Sequence, residues 1–162
     1  MTPAETKARI ALGLKCLSDL HEHWDAVMVP VSIIVVDDDA SFCELISEQI
    51  RMVITRKCEI KCVTTGHEAI ELMNTTKVDI MFVDLRMPNA TGSGLDVLRE
   101  IDHKATVVLV VTGLMDDAPE VVEAKKLGHT LIIRKAELFE DLRIVFGNGC
   151  PFNPSCSTTG RP

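Results

Sequence analysis

Asp37, Asp38 and Asp39 follow directly on the apolar run VSIIVV, and Asp84 follows IMFV. A helix start tolerates one carboxylate well. Three in a row repel one another and favour a cation, and a cap with a solvated turn accounts for one or two of them. Asp84 ends a short run, Ile80, Met81, Phe82 and Val83, that is too short for a helix and suits a central strand buried on both faces. A carboxylate at the carboxyl end of such a strand sits at the rim where open α/β sheets do their chemistry. Taken alone, Asp84 could equally cap or turn the chain. Thr112 and Lys135 also stand where apolar runs stop, after TVVLVV and after LII and Arg134. A Lys there is usually solvated and a Thr is usually a core or turn residue. The joint placement of all these groups after strands is what points to a site.

The intervening chain must position them. Residues 31–36, 58–63, 80–83, 106–111 and 130–133 read as five strands, the second alternating as a half-buried edge strand. In it Cys58, Ile60 and Cys62 point one way, and Glu59 and Lys61 the other. Helices are predicted over 40–53, 67–73, 95–101, 119–127 and 136–146. Pro119 lies near the start of its helix and Gly128 beyond its end. Strands alternating with helices imply a doubly wound parallel sheet with right-handed crossovers, which brings every strand's carboxyl end to one edge. Residues 4–29 read as a further amphipathic helix, with Ile10, Leu17 and Trp24 recurring every seven residues. That helix either packs on its own domain or pairs with a second copy or a partner; the second is favoured because the following domain looks complete without it. The division is 1–30 for this helix, 31–147 for the folded domain and 148–162 for a Pro-, Gly- and Ser-rich tail read as disordered.

Composition bounds the classes. The 162 residues suffice for one domain with a full core, and the net charge of −7 argues against direct binding of nucleic acid. No apolar run reaches the roughly 20 residues of a membrane span. The N-terminus lacks a signal-peptide pattern, so a cytoplasmic location is the expectation. The six cysteines form no CxxC pair and are expected as free thiols.

Together, IIVVDDD, VDIMFVDLRMP, VVLVVTG and TLIIRK, in that order, resemble the receiver domain (CheY-like) of bacterial response regulators in two-component systems. The likeness covers about residues 31–146. It implies a flavodoxin-like five-stranded α/β sheet of order 2-1-3-4-5, here with an extra N-terminal helix. It further implies that Asp84 accepts a phosphoryl group from a histidine kinase or histidine phosphotransfer protein. Mg²⁺ would be held by Asp38, Asp84 and the backbone carbonyl of Arg86, with Asp37 reaching it through water. Lys135 would pair with a phosphoryl oxygen, and Thr112 would move to bind another. The output would be a change on the face formed by the fourth strand, the next helix and the fifth strand, read by a downstream protein target. On this reading the chain is a stand-alone signalling phosphoprotein of a phosphorelay, not an enzyme beyond its own phosphorylation and dephosphorylation. No effector domain is expected after the last helix.

Several residues depart from the family pattern. Ala136 follows Lys135, where receivers usually carry a Pro after a cis bond; a cis bond before Ala costs about 3 kcal/mol. Ile132 replaces the usual aromatic switch residue. The loop after Pro88 is two residues longer than usual, with GSG for a single Gly. Arg86 and Leu114 occupy the two variable positions flanking the acceptor, and an apolar Leu114 cannot orient an attacking water, so slow phosphate loss is expected. Two other readings compete. One is a receiver-like interaction module that works without phosphorylation. The other is a haloacid-dehalogenase-type phosphatase using Asp37, Asp39 and the Asp116–Asp117 pair; its acidic pair comes in the wrong order relative to the Lys, and Asp84 is left without a role.

Overall fold

The computed structural model describes residues 30–54, 57–102, 105–129 and 131–146. The predicted N-terminal helix and the tail lie outside the described residues, so the pairing expectation for that helix is not addressed by them. Five strands, β1 (Val31–Val36), β2 (Cys58–Val63), β3 (Ile80–Val83), β4 (Val107–Thr112) and β5 (Ile132–Arg134), form one parallel sheet in the order β2-β1-β3-β4-β5. The helices are α1 (Ala40–Val53), α2 (Gly66–Thr75), α3 (Gly94–Glu100), α4 (Pro119–Lys126) and α5 (Leu138–Phe146). This is the flavodoxin-like doubly wound architecture expected from the sequence.

The three inner strands are apolar except for Ser32 in β1 and Thr112 at the end of β4, because both of their faces are covered. Alternation along each strand sorts the core into two layers. Val31, Ile33, Val35, Ile80, Phe82, Leu109, Val111 and Ile133 face α1 and α5 with Ile46, Ile50, Leu142 and Phe146. Ile34, Val36, Met81, Val83, Val110 and Ile132 face α2, α3 and α4 with Ala69, Val97, Leu98, Val121 and Ala124. The short inner strands therefore cannot slip by one residue without sending every side chain to the wrong layer.

Several predicted boundaries shift. α2, α3 and the fourth and fifth strands move by one or two residues, which is the ordinary fraying of ends. The last helix, predicted from residue 136, opens as a 3-10 turn, Lys135–Glu137, and only then becomes α5. The predicted alternation holds: Cys58 and Ile60 pack against the α1 layer, and the Cys62 thiol lies on the same face, 3.2 Å from the Ser47 hydroxyl, although Cys62 is exposed because β2 is an edge strand.

Candidate functional site

Register alone brings the acidic residues together. Val36 of β1 is paired with Val83 of β3, and the Asp84 amide donates to the Val36 carbonyl at 2.9 Å. Asp37 and Asp84 are therefore the next residues on two adjacent strands, ending at the same level. Asp37, Asp38 and Asp84 each offer a carboxylate oxygen within 4.8 Å of one another. Asp37 and Asp84 are buried and Asp38 is half-buried. Lys135 enters from the end of β5, across the sheet: its Nζ donates to Asp37 Oδ2 at 2.5 Å and to Asp84 Oδ2 at 2.8 Å.

Each acidic residue of the β1 end has a separate task. Asp39 caps α1, its side chain accepting from the Ser41 and Phe42 amides. That satisfies helix-end donors and takes it out of the carboxylate cluster. Asp37 Oδ1 accepts from the Asp39 amide at 2.9 Å, which fixes the turn. Asp38 Oδ2 is approached by the backbone and side-chain amides of Asn89 at 3.3 and 3.4 Å. Burial pushes the Asp37 carboxyl up from its ordinary value, against the opposing pull of Lys135 and the Asp39 amide; the Asp84 charge adds to the rise. Burial alone would depress the Lys135 ammonium, but its hydrogen bonds to Asp37 and Asp84 outweigh that and hold its pKa raised.

The remaining predicted residues divide. Thr112 ends β4 at the same sheet edge and is buried, with its hydroxyl accepting from the Leu114 amide at 3.2 Å. The Arg86 amide lies 3.4 Å from Asp84 Oδ1, so its peptide sits beside the carboxylates, while its side chain runs outward to Glu120. The Lys135–Ala136 bond is trans, as are all peptide bonds among the described residues. Lys135 nonetheless reaches both carboxylates, because the 3-10 turn redirects the chain without a cis bond. Asp116 pairs with Arg134 at 3.3 Å and Lys125 at 3.9 Å, and among the described residues the carboxylates grouped for a metal are those of Asp37, Asp38 and Asp84.

Three contributors carry no signal in the sequence. Phe42 places its ring 4.3 Å from Lys135 Nζ, a cation–π contact that supports the ammonium from α1. Asn89 reaches Asp38 from the loop after β3. Gly94 opens α3 against the acceptor peptide: a Cβ there would lie 1.9 Å from the Asp84 carbonyl oxygen. The loop after Pro88 lies against the start of α2, where the Gly66 and His67 amides donate to the Gly92 and Thr91 carbonyls, each at 3.3 Å.

Three hard carboxylate donors at a half-buried strand edge suit a small oxygen-seeking divalent cation, and the donor set fits such an ion. A cation there would offset the mutual repulsion that the single Lys135 charge balances only in part.

The family model of the response regulator receiver domain matches residues 33–146. The chain is similar to transcription factor SKN7 of Candida albicans, with 29% identity over 111 residues, covering 68% of this chain and 19% of that protein. It thus spans about a fifth of that relative's length. Among solved structures it is similar to a response regulator receiver domain protein from Clostridium thermocellum, with a TM-score of 0.58, 26% identity and 72% and 90% of the two chains covered. It is also similar to a response regulator from Burkholderia pseudomallei solved with a phosphorylated aspartic acid, a calcium ion and citrate. There the TM-score is 0.59, the identity 24% and the coverage 72% and 66%. The matched segment runs through every strand and helix described above, and so the chain belongs to the response regulator receiver domain family.

Proposed function

We propose that Asp84 accepts a phosphoryl group from a phosphohistidine of a histidine kinase or phosphotransfer protein, and that the resulting change of surface is read by a downstream protein. A carboxylate oxygen of Asp84 attacks phosphorus, the new O–P bond forms as the N–P bond breaks, and the histidine nitrogen leaves with the bonding pair. Transfer of this kind is mostly positioning and charge neutralisation. Lys135 already holds Asp84 Oδ2, and it neutralises charge on the incoming phosphoryl oxygens as a point charge. Asp84 Oδ1 has only the long 3.4 Å amide contact and is the less encumbered oxygen. Thr112 releases the Leu114 amide when its hydroxyl turns to a phosphoryl oxygen, which moves the loop between β4 and α4. Asp37, Asp38 and Asp84, with the Arg86 carbonyl, would hold Mg²⁺, which supplies positive charge for the phosphoryl oxygens.

The observation that carries this reading is the approach of Lys135 to Asp37 and Asp84 from the far side of the sheet. A scaffold with an abandoned site has no physical reason to keep two buried carboxylates facing a third. The trans bond before Ala136, the main departure from the family pattern, does not prevent that approach. The chain catalyses only its own phosphorylation and dephosphorylation. The proposed setting is cytoplasmic, consistent with the absence, among the described residues, of any helix long and apolar enough to cross a membrane.

The test is intact mass after incubation with acetyl phosphate and Mg²⁺. One phosphoryl group is expected on the wild-type chain and none on Asp84→Asn. A wild-type chain that never gains mass under donor excess, and that fails to bind beryllofluoride, favours the phosphorylation-independent module instead. Turnover of a generic phosphate ester would favour the phosphatase.

A further inference from the structure

Arg86 follows the acceptor by two residues, yet its guanidinium is engaged elsewhere. Nε and Nη2 both donate to Glu120 Oε1, at 3.0 and 2.7 Å. The pair joins two walls of the pocket rim, the loop after β3 and the first turn of α4.

Three observations set it apart from a surface ion pair. The second oxygen of Glu120, Oε2, is buried without a hydrogen-bond partner, and Arg86 is the largest of the groups that favour the ionised carboxylate, ahead of Glu120's own amide. α4 starts at Ala118 without a side-chain cap, and Glu120 is the acidic residue of its first turn. The Arg86 amide lies 3.4 Å from Asp84 Oδ1, which roots this side chain beside the acceptor. A doubly charged phosphoryl group with three acceptor oxygens competes strongly for a guanidinium against a single carboxylate.

We propose that Arg86 is a phosphoryl-positioning residue held in reserve on Glu120, and that its transfer from Glu120 to a phosphoryl oxygen on Asp84 releases the first turn of α4. The inference rests on Asp84 being the acceptor. It supplies a route from the pocket to α4 in a chain where Ile132, buried under α4's side of the sheet, cannot act as a swinging ring. The released Glu120 loses its cation while its Oε2 is buried, which favours loosening of the turn that carries it.

The test uses beryllofluoride with Mg²⁺ as the phosphoryl mimic and measures its affinity by calorimetry for wild type, Glu120→Gln, Arg86→Gln and the double variant. Both side chains are partly exposed, so the fold is retained, and Arg86→Gln leaves the backbone carbonyl in place. Glu120→Gln frees the guanidinium and is expected to tighten binding about threefold, the scale of a partly exposed ion pair. Arg86→Gln is expected to weaken it about tenfold, the scale of one charge-assisted hydrogen bond. In the Arg86→Gln background, Glu120→Gln should change nothing. Amide hydrogen exchange over residues 118–122 should accelerate on binding in wild type and not in Arg86→Gln. Unchanged affinity in both single variants, or an effect of Glu120→Gln that persists without Arg86, overturns the transfer while leaving the acceptor assignment standing. Failure of the wild-type chain to bind the mimic overturns both.

Discussion

Strand β3 has a buried aspartate at each end, and the two are equally hidden: Asp79, just before Ile80, and Asp84, just after Val83, are each 6% exposed. Their surroundings differ in kind. Asp79 Oδ2 accepts from the Ser32 amide at 2.9 Å, and Oδ1 faces the exposed Lys77 ammonium at 3.4 Å. The Asp79 amide and carbonyl also bond Ser32 and Val107, so the residue ties β1, β3 and β4 together where they begin. Asp84 meets Asp37, Asp38 and Lys135, which arrive from the ends of two other strands. Neither burial nor charge makes a site. Parallel crossovers send all strand ends to one edge, and only there do charged groups from distant sequence converge with capacity to spare.

The largest expected contrast is functional. Asp84→Asn removes the acceptor and is expected to abolish phosphoryl uptake, while Asp79→Asn leaves it intact; intact mass spectrometry reads both. Loss of uptake in Asp79→Asn would show that the two ends of the strand are not independent. The largest effect on stability is expected at Gly94, whose added Cβ would collide with the Asp84 carbonyl oxygen. Both partners are backbone and cannot swing aside, so Gly94→Ala should cost about 3 kcal/mol or more, read by urea unfolding. Asp79→Ala should come next. It leaves the Ser32 amide without its partner beside a buried strand, for a loss of about 2 kcal/mol.

The sequence and the structure meet unevenly along this comparison. Five strands and the placement of Asp37, Asp38, Asp84, Thr112 and Lys135 on one edge were legible, because runs of apolar residues and parallel topology are local patterns with global consequences; the strand order followed only from the resemblance to receiver domains. The role of Asp79 was not, although it lies in the same VDIMFVD segment as Asp84. Its partner Ser32 is 47 residues away, and a bond to a backbone amide selects no residue type there. The same holds for the ring of Phe42 under Lys135 and for Glu120 beside Arg86: each arises from contact between elements that no spacing rule relates. The resemblance already left Asp39 out of the metal ligands, and its cap geometry gives it a role of its own.

A metal sharpens the contrast from the solvent side. Mg²⁺ that binds the folded chain and not the unfolded one stabilises by about 1.4 kcal/mol at tenfold excess over its dissociation constant. The rise in melting temperature on adding Mg²⁺ should vanish in Asp38→Ala and persist in Asp79→Asn. Persistence in Asp38→Ala would place the cation elsewhere.

The smallest effect concerns a carboxylate that resembles neither end of β3. Asp141 is buried on α5, next to the apolar Leu142, and the charges acting on it come from Glu137 and Glu140, both acidic. Burial first, and then those two like charges, push its carboxyl up from its ordinary value. An acid whose folded pKa lies above its unfolded one destabilises the fold wherever it is ionised, and the penalty disappears as pH falls toward the ordinary carboxylate range. Asp141→Asn should therefore raise stability near neutral pH, by about 0.5 kcal/mol from the i, i+4 repulsion with Glu137 alone. The gain should shrink on acidification and be absent once Asp141 is protonated in both states. Paired thermal unfolding curves across that range decide it: a gain that does not depend on pH would mean that the amide is merely a better fit, and that repulsion and desolvation are not what Asp141 bears.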